Sequence, residues 1–150
     1  MTYLGQASAP HAVRVGTSSP GVFTLNQSGA GQAAAINAVD GTVNTAANPV
    51  KIGAYISLYA TGEGQTIPAG VDGRLSSTSA RPVFPVSVTV GGIPAFVQYA
   101  GGSPGQVAGL MQINVQIPTG VQPGAYVPVV LQVGDASTTP GAVWVAVSGN

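Results

Sequence analysis

The stretch PVSVTVGGIPAFVQYAGG, residues 85–102, decides the fold of this chain. Its first part, VSVTV at 86–90, alternates apolar and polar side chains, which is the pattern of a β-strand with one buried face. Gly91 and Gly92 then permit a tight reversal, and a return strand begins near Ala95. The stretch therefore predicts a β-hairpin, and it contains nothing that suggests catalysis.

The same alternation recurs along the chain between turns that are rich in glycine and proline. It is clearest at 54–60, 111–117, 127–133 and 143–147. The alanines at 33–35 stand too close to Gly31 and to Asp40-Gly41 for a helix, so we expect strands there, with a primed hairpin turn at Asp40-Gly41. Because no helical period is present, the sequence predicts an all-β protein, an antiparallel immunoglobulin-like β-sandwich of about seven to nine strands.

Charge is scarce in this sequence. The 150 residues include four basic and four acidic side chains, a charged fraction of 5% with a formal net charge of zero. An average soluble domain has about 25% charged residues. The scarcity of charged residues in this chain removes the usual protection against self-association. A neutral chain has no electrostatic footprint for nucleic acid, and no apolar run approaches the ~20 residues of a membrane helix. We therefore expect no nucleic-acid partner and no membrane span, and favour a homo-oligomer or polymer.

The chain is predicted to divide into an N-terminal arm, residues 1–16, and a sandwich domain, residues 17–150. The arm is small and polar apart from HAVRVG at 11–16, which alternates and predicts a short strand with Val13 and Val15 on one side. We expect this strand to dock on its own domain or on a neighbouring copy. The first residues lack a basic region followed by an apolar one, so no signal peptide is predicted.

Several motifs carry a family resemblance. They are SPGVFTL at 19–25, GQAAAIN at 31–37, DGTVN at 40–44, LYATGEGQT at 58–66, PVSVTVGGIPA at 85–95 and QINVQIPTGVQPGAYVPVVLQVG at 112–134. In this order they resemble the C-terminal domain, first catalogued in Solibacter, of large extracellular proteins of acidobacteria. The second half of the chain is also similar to immunoglobulin-like domains of the IPT/TIG type. The resemblance implies a secreted, cell-surface module with an immunoglobulin-like fold, and it offers no catalytic motif to transfer.

Residues that support catalysis are few. His11 is the single histidine and has no carboxylate near it in the sequence, so we do not expect it to act in nucleophilic catalysis. Glu63 and Asp72 flank a long aperiodic surface loop, residues 67–82, and are a weak candidate pair for glycoside hydrolysis. We therefore predict that the protein is not an enzyme.

Metal and cross-link chemistry has equally few candidates. Asp40 and Asp135 are explained by turns, although DGTVNTAAN at 40–48 also offers the oxygen ligands of a weak calcium site. An isopeptide cross-link would have to join Lys51, the single lysine, to a partner such as Asn114, whereas a solvated lysine is the simpler interpretation. Without cysteine the chain has neither disulfides nor thiolate sites. We expect no metal and no cofactor.

Three aromatic side chains are predicted to face outward. Tyr55 and Tyr59 lie four residues apart on one face of a strand, and Trp144 lies opposite the valines of the last strand. Such rings line a subunit interface, pack under a loop or stack on a sugar. Together with Val13 and Val15, we assign them to a subunit interface.

The leading hypothesis is a non-enzymatic extracellular module with a structural or adhesive role. In its sharper form, residues 2–15 of one subunit add a strand to an edge of the next and build a surface filament. The alternative is a carbohydrate-binding module of a secreted protein. It would recognise a cell-surface glycan through Tyr55, Tyr59, Trp144 and the loop at 67–82.

Overall fold

A computed structural model describes residues 1–13, 15–71, 73–75 and 80–149 of the chain. Asp72 and residues 76–79 of the predicted loop therefore lie outside the described residues. The described ranges are all-β and contain no helix, which confirms the predicted all-β sandwich. Six strands have five residues or more: β7 (Tyr55–Thr61), β10 (Val86–Val90), β11 (Ile93–Gly102), β12 (Met111–Gln116), β13 (Gly124–Val133) and β15 (Val143–Ser148).

Nine further strands have only two or three residues. They are β1 (Thr2–Tyr3), β2 (Gln6–Ala7), β3 (Gly21–Val22), β4 (Gly31–Gln32), β5 (Ala35–Asn37), β6 (Val50–Lys51), β8 (Thr66–Ile67), β9 (Arg81–Pro82) and β14 (Ala136–Ser137). Pro20, Pro49 and Pro82 stand beside or within three of these strands. Proline cannot donate a backbone hydrogen bond to a neighbouring strand, so it interrupts the pairing at the edges of the sandwich. The edge strands are therefore shorter and more numerous than the alternation predicts.

Two packed sheets form the sandwich, and β11 belongs to both. In the first sheet β12 lies between β7 and the later part of β11, while β3 and β5 both pair with β7. In the second sheet β13 lies between β10 and β15, and the start of β11 pairs with β10. These pairings are antiparallel, whereas β4 and β6 pair in parallel with β15.

Alternate side chains of the long strands fill the space between the sheets. On β12, Met111, Ile113 and Val115 are fully buried, while the amide side chains between them are half-buried on the outer face. The predicted alternation is therefore confirmed. The two-glycine hairpin that joins β10 to β11 is confirmed as well, since the last residue of β10 pairs with the first residue of β11.

The predicted two-residue turn at Asp40-Gly41 is wrong. Asn37 N donates to Thr42 O at 2.8 Å, so the loop is wider. Gly41 has a left-handed φ of +69° but Asp40 does not, and either primed turn requires a positive φ at Asp40. Instead the Asp40 carboxylate accepts hydrogen bonds from the backbone N and the hydroxyl of Thr42, at 3.0 and 2.6 Å. This local pairing holds the wider loop.

The N-terminal arm does not dock on the sandwich. β1 and β2 pair with each other around Leu4 and Gly5, whose φ values are +46° and +79°. Every described residue from 1 to 17 is exposed. The short strand predicted at 11–16 is wrong for the isolated chain, since none of its described residues lies in a strand. An extended segment needs a neighbour to complete its hydrogen-bond ladder, and the described part of the sandwich supplies none.

Candidate functional site

The arm carries apolar side chains into solvent. Val13 is 74% exposed and Val15 is 93% exposed, and Tyr3 and Leu4 of the small hairpin are exposed as well. His11 lies on the same exposed segment. Single exposed apolar side chains are ordinary, but several on a segment that does not pack against its own domain indicate a contact surface. The arm is therefore the first candidate for contact with another molecule.

Residues 17–19, which we call the arm root, attach the arm to the sandwich. Ser19 N donates to Gly62 O at 2.9 Å, just after β7. Ser18 Oγ donates to Val133 O at 2.7 Å, at the end of β13. The root is thus tied to both sheets, and the exposed arm leaves from a fixed point of the fold.

Two glycines lie in close contact with the backbone of the arm root. Gly62 and Gly64 have φ values of +78° and +75°, and a Cβ on them would collide with the carbonyl oxygens of Ser19 and Thr17, respectively. Only glycine permits both this backbone conformation and this close approach of two backbones. The alternation along 54–60 predicts only that these glycines end the strand. The sequence signal for their contact with the arm root is the Gly-Glu-Gly spacing, because two residues that are two positions apart can face the same neighbour.

Glu63, between these glycines, is a buried acid with an unpartnered oxygen. Its side chain is 6% exposed, and Oε2 has no hydrogen-bond partner in the described structure. Burial raises the pKa of Glu63 above its ordinary value of 4.5, because desolvation disfavours the charged form. A buried carboxyl group without a hydrogen-bond partner is a candidate for a functional site.

Glu63 lies at a cleft of about 600 Å³ beside the arm root. The lining is mostly backbone and small side chains, and it includes Gly70, Arg74, Leu75 and Ala80. The second carboxylate of the weak candidate pair, Asp72, lies outside the described residues, so the pairing of Glu63 with Asp72 stays a hypothesis. The described cleft holds one acid that is protonated more readily than an ordinary glutamate.

The three predicted aromatic side chains lie on two opposite faces of the sandwich. Tyr55 and Tyr59 alternate with core residues of β7 and so lie on the outer face of the first sheet. Trp144 alternates with core valines of β15 and lies on the outer face of the second sheet. All three are half-buried. The structure therefore does not bring Trp144 together with the two tyrosines.

Amide side chains occupy the space between the tyrosines on the first sheet. Across β7 and β12, Tyr59 pairs with Gln112 and Tyr55 pairs with Gln116. Between these pairs, Asn114 Oδ1 accepts hydrogen bonds from a neighbouring serine hydroxyl and from Gln112 Nε2, both at 2.9 Å. This face thus presents two rings separated by polar amides.

On the second sheet Trp144 packs edge-on against Tyr126. The ring centroids are 5.6 Å apart and the ring planes meet at 73°. Tyr126 itself is 75% exposed. Sequence reasoning missed this neighbour, although the alternation that buries Val127 also directs Tyr126 outward.

The polar residues of the 40–48 loop are used within the fold. Asn44 is fully buried, and its amide hydrogen-bonds the backbone of Ala146 and the side chains of Asn37 and Gln32. The Asp40 carboxylate is engaged by Thr42, as described above. Among the described residues there is no group of three or more His, Cys, Asp or Glu side chains that could hold a metal ion.

Lys51 and Asn114 lie on different sheets. Lys51 is exposed in β6, which pairs with β15 of the second sheet. Asn114 lies in the middle of β12, in the first sheet. The structure does not bring together the two residues of the isopeptide hypothesis.

Comparison of the chain with protein-family models, with curated proteins and with solved structures gives no match. In the part of the chain that the structure describes, no helix is long and apolar enough to cross a membrane. The class that the fold and the site define is an all-β, sandwich-like protein whose exposed arm is rooted beside a buried carboxyl group.

Proposed function

We propose that this protein is an extracellular structural module that associates with other copies of itself through its N-terminal arm. The observation that carries the proposal is the exposed arm on a fixed root. Val13 and Val15 stand in solvent, while the arm root is hydrogen-bonded to both sheets. The extracellular, cell-surface location follows from the family resemblance in the sequence.

The backbone of the arm is also available for pairing. Ser8 N donates to Met1 O at 2.9 Å, but the described residues between Ala9 and Gly16 form no backbone hydrogen bond. An extended segment of this kind binds by adding a strand to an exposed sheet edge, with alternate side chains filling pockets. Reciprocal exchange of arms gives a closed dimer, and head-to-tail addition gives a filament.

Light scattering and negative-stain microscopy test this proposal. The intact chain is compared with a chain that lacks residues 1–16 and with the double variant Val13→Asp, Val15→Asp. The control is Val39→Asp, which places one such charge at a valine that is 81% exposed in a loop of the sandwich. We expect the intact chain and the control to assemble, and both arm variants to be folded monomers. Equal masses for all four proteins would overturn the proposal.

A second candidate function, carbohydrate binding, is favoured by the outer face of the first sheet. Tyr55 and Tyr59 flank a row of amides there, and sugars are bound by ring stacking combined with hydrogen bonds to amide groups. The ligand of this candidate is a cell-surface glycan. Trp144 cannot share that ligand, because it lies on the opposite sheet.

The carbohydrate hypothesis is tested by affinity electrophoresis in gels that contain polysaccharides. Tryptophan fluorescence is a poor reporter here, since Trp144 is remote from the two tyrosines. We expect Tyr55→Ala and Tyr59→Ala to abolish retardation if this function is right. Tyr126→Ala, which removes a tyrosine from the other sheet, is the matched control. Unretarded migration of the intact chain across a broad panel excludes this candidate.

A further inference from the structure

An exposed phenylalanine lies beside the amide side chains on the outer face of the first sheet. Phe96 of β11 is 62% exposed, and it pairs across the strands with Gln116 of β12. Gln116 pairs in turn with Tyr55 of β7. Directly opposed residues of neighbouring strands have their side chains about 5 Å apart on one face. Gln116 therefore lies between two rings, one on each neighbouring strand.

The other end of β12 has a ring on one side and a wall on the other. Gln112 pairs with Tyr59 of β7 and with Gly101 of β11. A Cβ on Gly101 would collide with Ala80 O and would lie 3.0 Å from Tyr99 Oη. Tyr99 Oη donates to a backbone carbonyl of β11 at 2.7 Å, which holds this ring along its own strand. The ring of Tyr99 and the backbone at Ala80 thus form a wall beside Gln112, opposite Tyr59.

Three amide side chains of β12 lie between these aromatic residues, and we call Gln112, Asn114 and Gln116 the amide row. Its two ends are four residues apart, which is about 13 Å along a strand. A ligand that contacts both ends is therefore a chain of several units and not a single sugar. Because β12 is paired on both sides, with β7 and with β11, the amide row recognises its ligand through side chains and not by strand addition.

Two amides of the row have a set orientation and a polar atom that is left over. Gln116 Nε2 donates to Gly53 O at 2.8 Å, so Gln116 Oε1 is directed away from that carbonyl. Asn114 Oδ1 accepts hydrogen bonds from Ser57 Oγ and Gln112 Nε2, which leaves Asn114 Nδ2. Neither leftover atom has a hydrogen-bond partner among the described residues, and neither is completely buried. The row thus offers one acceptor and one donor between the rings.

This chemistry matches a neutral glycan. A sugar ring has an apolar face that packs on aromatic rings, and its hydroxyl groups both donate and accept hydrogen bonds. The aromatic and amide side chains along the row carry no charge at pH 7. Arg81 lies at one end, with its guanidinium carbon 5.9 Å from the centroid of the Tyr99 ring. An anionic glycan would therefore find a cation only beyond the row.

We propose that the amide row binds a linear, neutral polysaccharide whose chain runs along β12. Phe96 and Tyr55 pack on its sugars at one end, and between them Gln116 Oε1 accepts a hydrogen bond from a sugar hydroxyl. This inference rests on the second candidate function. It adds the class of glycan, the path of the chain and Phe96 as a further binding residue.

Affinity electrophoresis tests the site in gels that contain hydroxyethylcellulose, mixed-linkage β-glucan, dextran or the anionic polygalacturonate. We expect at least one neutral polymer to retard the intact chain. Phe96→Ala should weaken that binding about tenfold, because one packed ring is lost, and Phe96→Trp should preserve it. Gln116→Leu, which keeps the size but removes the amide, should weaken binding as well. The melting temperature of each variant checks that it is folded.

Phe23→Ala is the matched control. Phe23 is 44% exposed, and its backbone N donates to Tyr59 O at 2.9 Å, so it lies on the side of β7 that faces away from the amide row. Equal retardation of Phe23→Ala and Phe96→Ala overturns the amide row as the site. The carbohydrate candidate then still stands if Tyr55→Ala and Tyr59→Ala abolish retardation.

Two further outcomes overturn the proposed ligand. Retardation by polygalacturonate alone would mean that binding follows charge and not the neutral row. Competition by a free monosaccharide that is as effective as competition by an oligosaccharide of the same sugar would exclude an extended site. If no polymer retards the intact chain, this inference and the carbohydrate candidate fail together, whereas the arm-mediated assembly is unaffected.

Discussion

Asn44 and Ala146, 102 residues apart in the chain, are joined by two hydrogen bonds. Asn44 Nδ2 donates to Ala146 O at 2.9 Å, and Ala146 N donates to Asn44 Oδ1 at 2.8 Å. This is the bonding that a neighbouring strand would supply. β4 pairs with the start of β15 and β6 pairs with its end, which leaves Ala146 between them. The buried amide of Asn44 therefore closes a gap in the edge of the second sheet.

Replacing Asn44→Ala should destabilise the fold by about 2–4 kcal/mol, since each buried backbone group left without a partner costs about 1–3 kcal/mol. Urea unfolding followed by circular dichroism measures the loss. Asn26→Ala is the control, because Asn26 is exposed and donates to Ala30 O at 2.9 Å in a surface turn. We expect the control to lose less than about 1 kcal/mol. Similar losses for both variants would show that Asn44 acts as an ordinary loop residue.

The junction between the arm root and the sandwich is tested by two glycine substitutions with the same backbone geometry. Gly62 and Gly53 have φ values of +78° and +79°, but a Cβ would collide with Ser19 O only at Gly62 and would meet nothing within 4 Å at Gly53. Gly53→Ala should therefore cost the left-handed strain alone, about 1–2 kcal/mol. Gly62→Ala should cost clearly more, because the arm root must move away.

Hydrogen exchange at Ser19 separates strain from displacement. Ser19 N donates to Gly62 O, so its amide should exchange faster in Gly62→Ala and at the original rate in Gly53→Ala. Equal stability losses with unchanged exchange at Ser19 would contradict the proposed packing.

The sequence predicts the parts of the fold that depend on local pattern. Alternation along 111–117 is sufficient to predict a strand and its buried face, because a period of two residues places alternate side chains on one side of a strand. The two glycines are sufficient to predict the turn of the central hairpin. The sheet to which each strand belongs is not encoded in that period. This is why Tyr55 and Trp144, both correctly predicted to face outward, prove to lie on opposite sheets.

Features that depend on distant contacts were not predictable. Asn44 resembles a turn residue in sequence, and only its contact with Ala146 explains its burial. Glu63 between two glycines has the pattern of a solvent-exposed loop, yet the strand end is covered there by the arm root. The strand predicted at 11–16 is absent from its described residues, because alternation in a short segment does not supply the neighbouring strand that an extended backbone needs.

Trp144 should report the removal of its neighbour Tyr126. Because the tyrosine ring packs edge-on against the indole at 5.6 Å, Tyr126→Ala exposes one side of Trp144 to water. We expect the fluorescence emission of the folded protein to shift to longer wavelength. Tyr55→Ala, on the other sheet, should leave the emission unchanged. A shift of equal size in both variants would mean that the emission follows global loosening and not the local contact.

The stability of the fold should fall as pH rises through the titration of Glu63. Burial raises the pKa of Glu63 in the folded state above its ordinary value of 4.5, so the folded protein binds more protons than the unfolded chain between these two pKa values. The contribution of Glu63 to the free energy of unfolding is therefore most favourable below pH 4.5, and this advantage is lost as the pH rises through the folded-state pKa. Glu63→Gln should remove this dependence and raise the melting temperature at neutral pH relative to the natural chain.

Asp40→Asn is the control with the opposite sign. The Thr42 hydroxyl, together with the Thr42 backbone N, holds the pKa of Asp40 below its ordinary value of 3.8. Its contribution is therefore present above 3.8 and is lost as pH falls through the folded-state pKa. Melting temperatures of the three proteins from pH 3 to pH 8 check both signs. If Glu63→Gln melts in parallel with the natural chain over the whole range, the carboxyl group of Glu63 is solvated in the folded protein and the buried-acid description of the cleft fails.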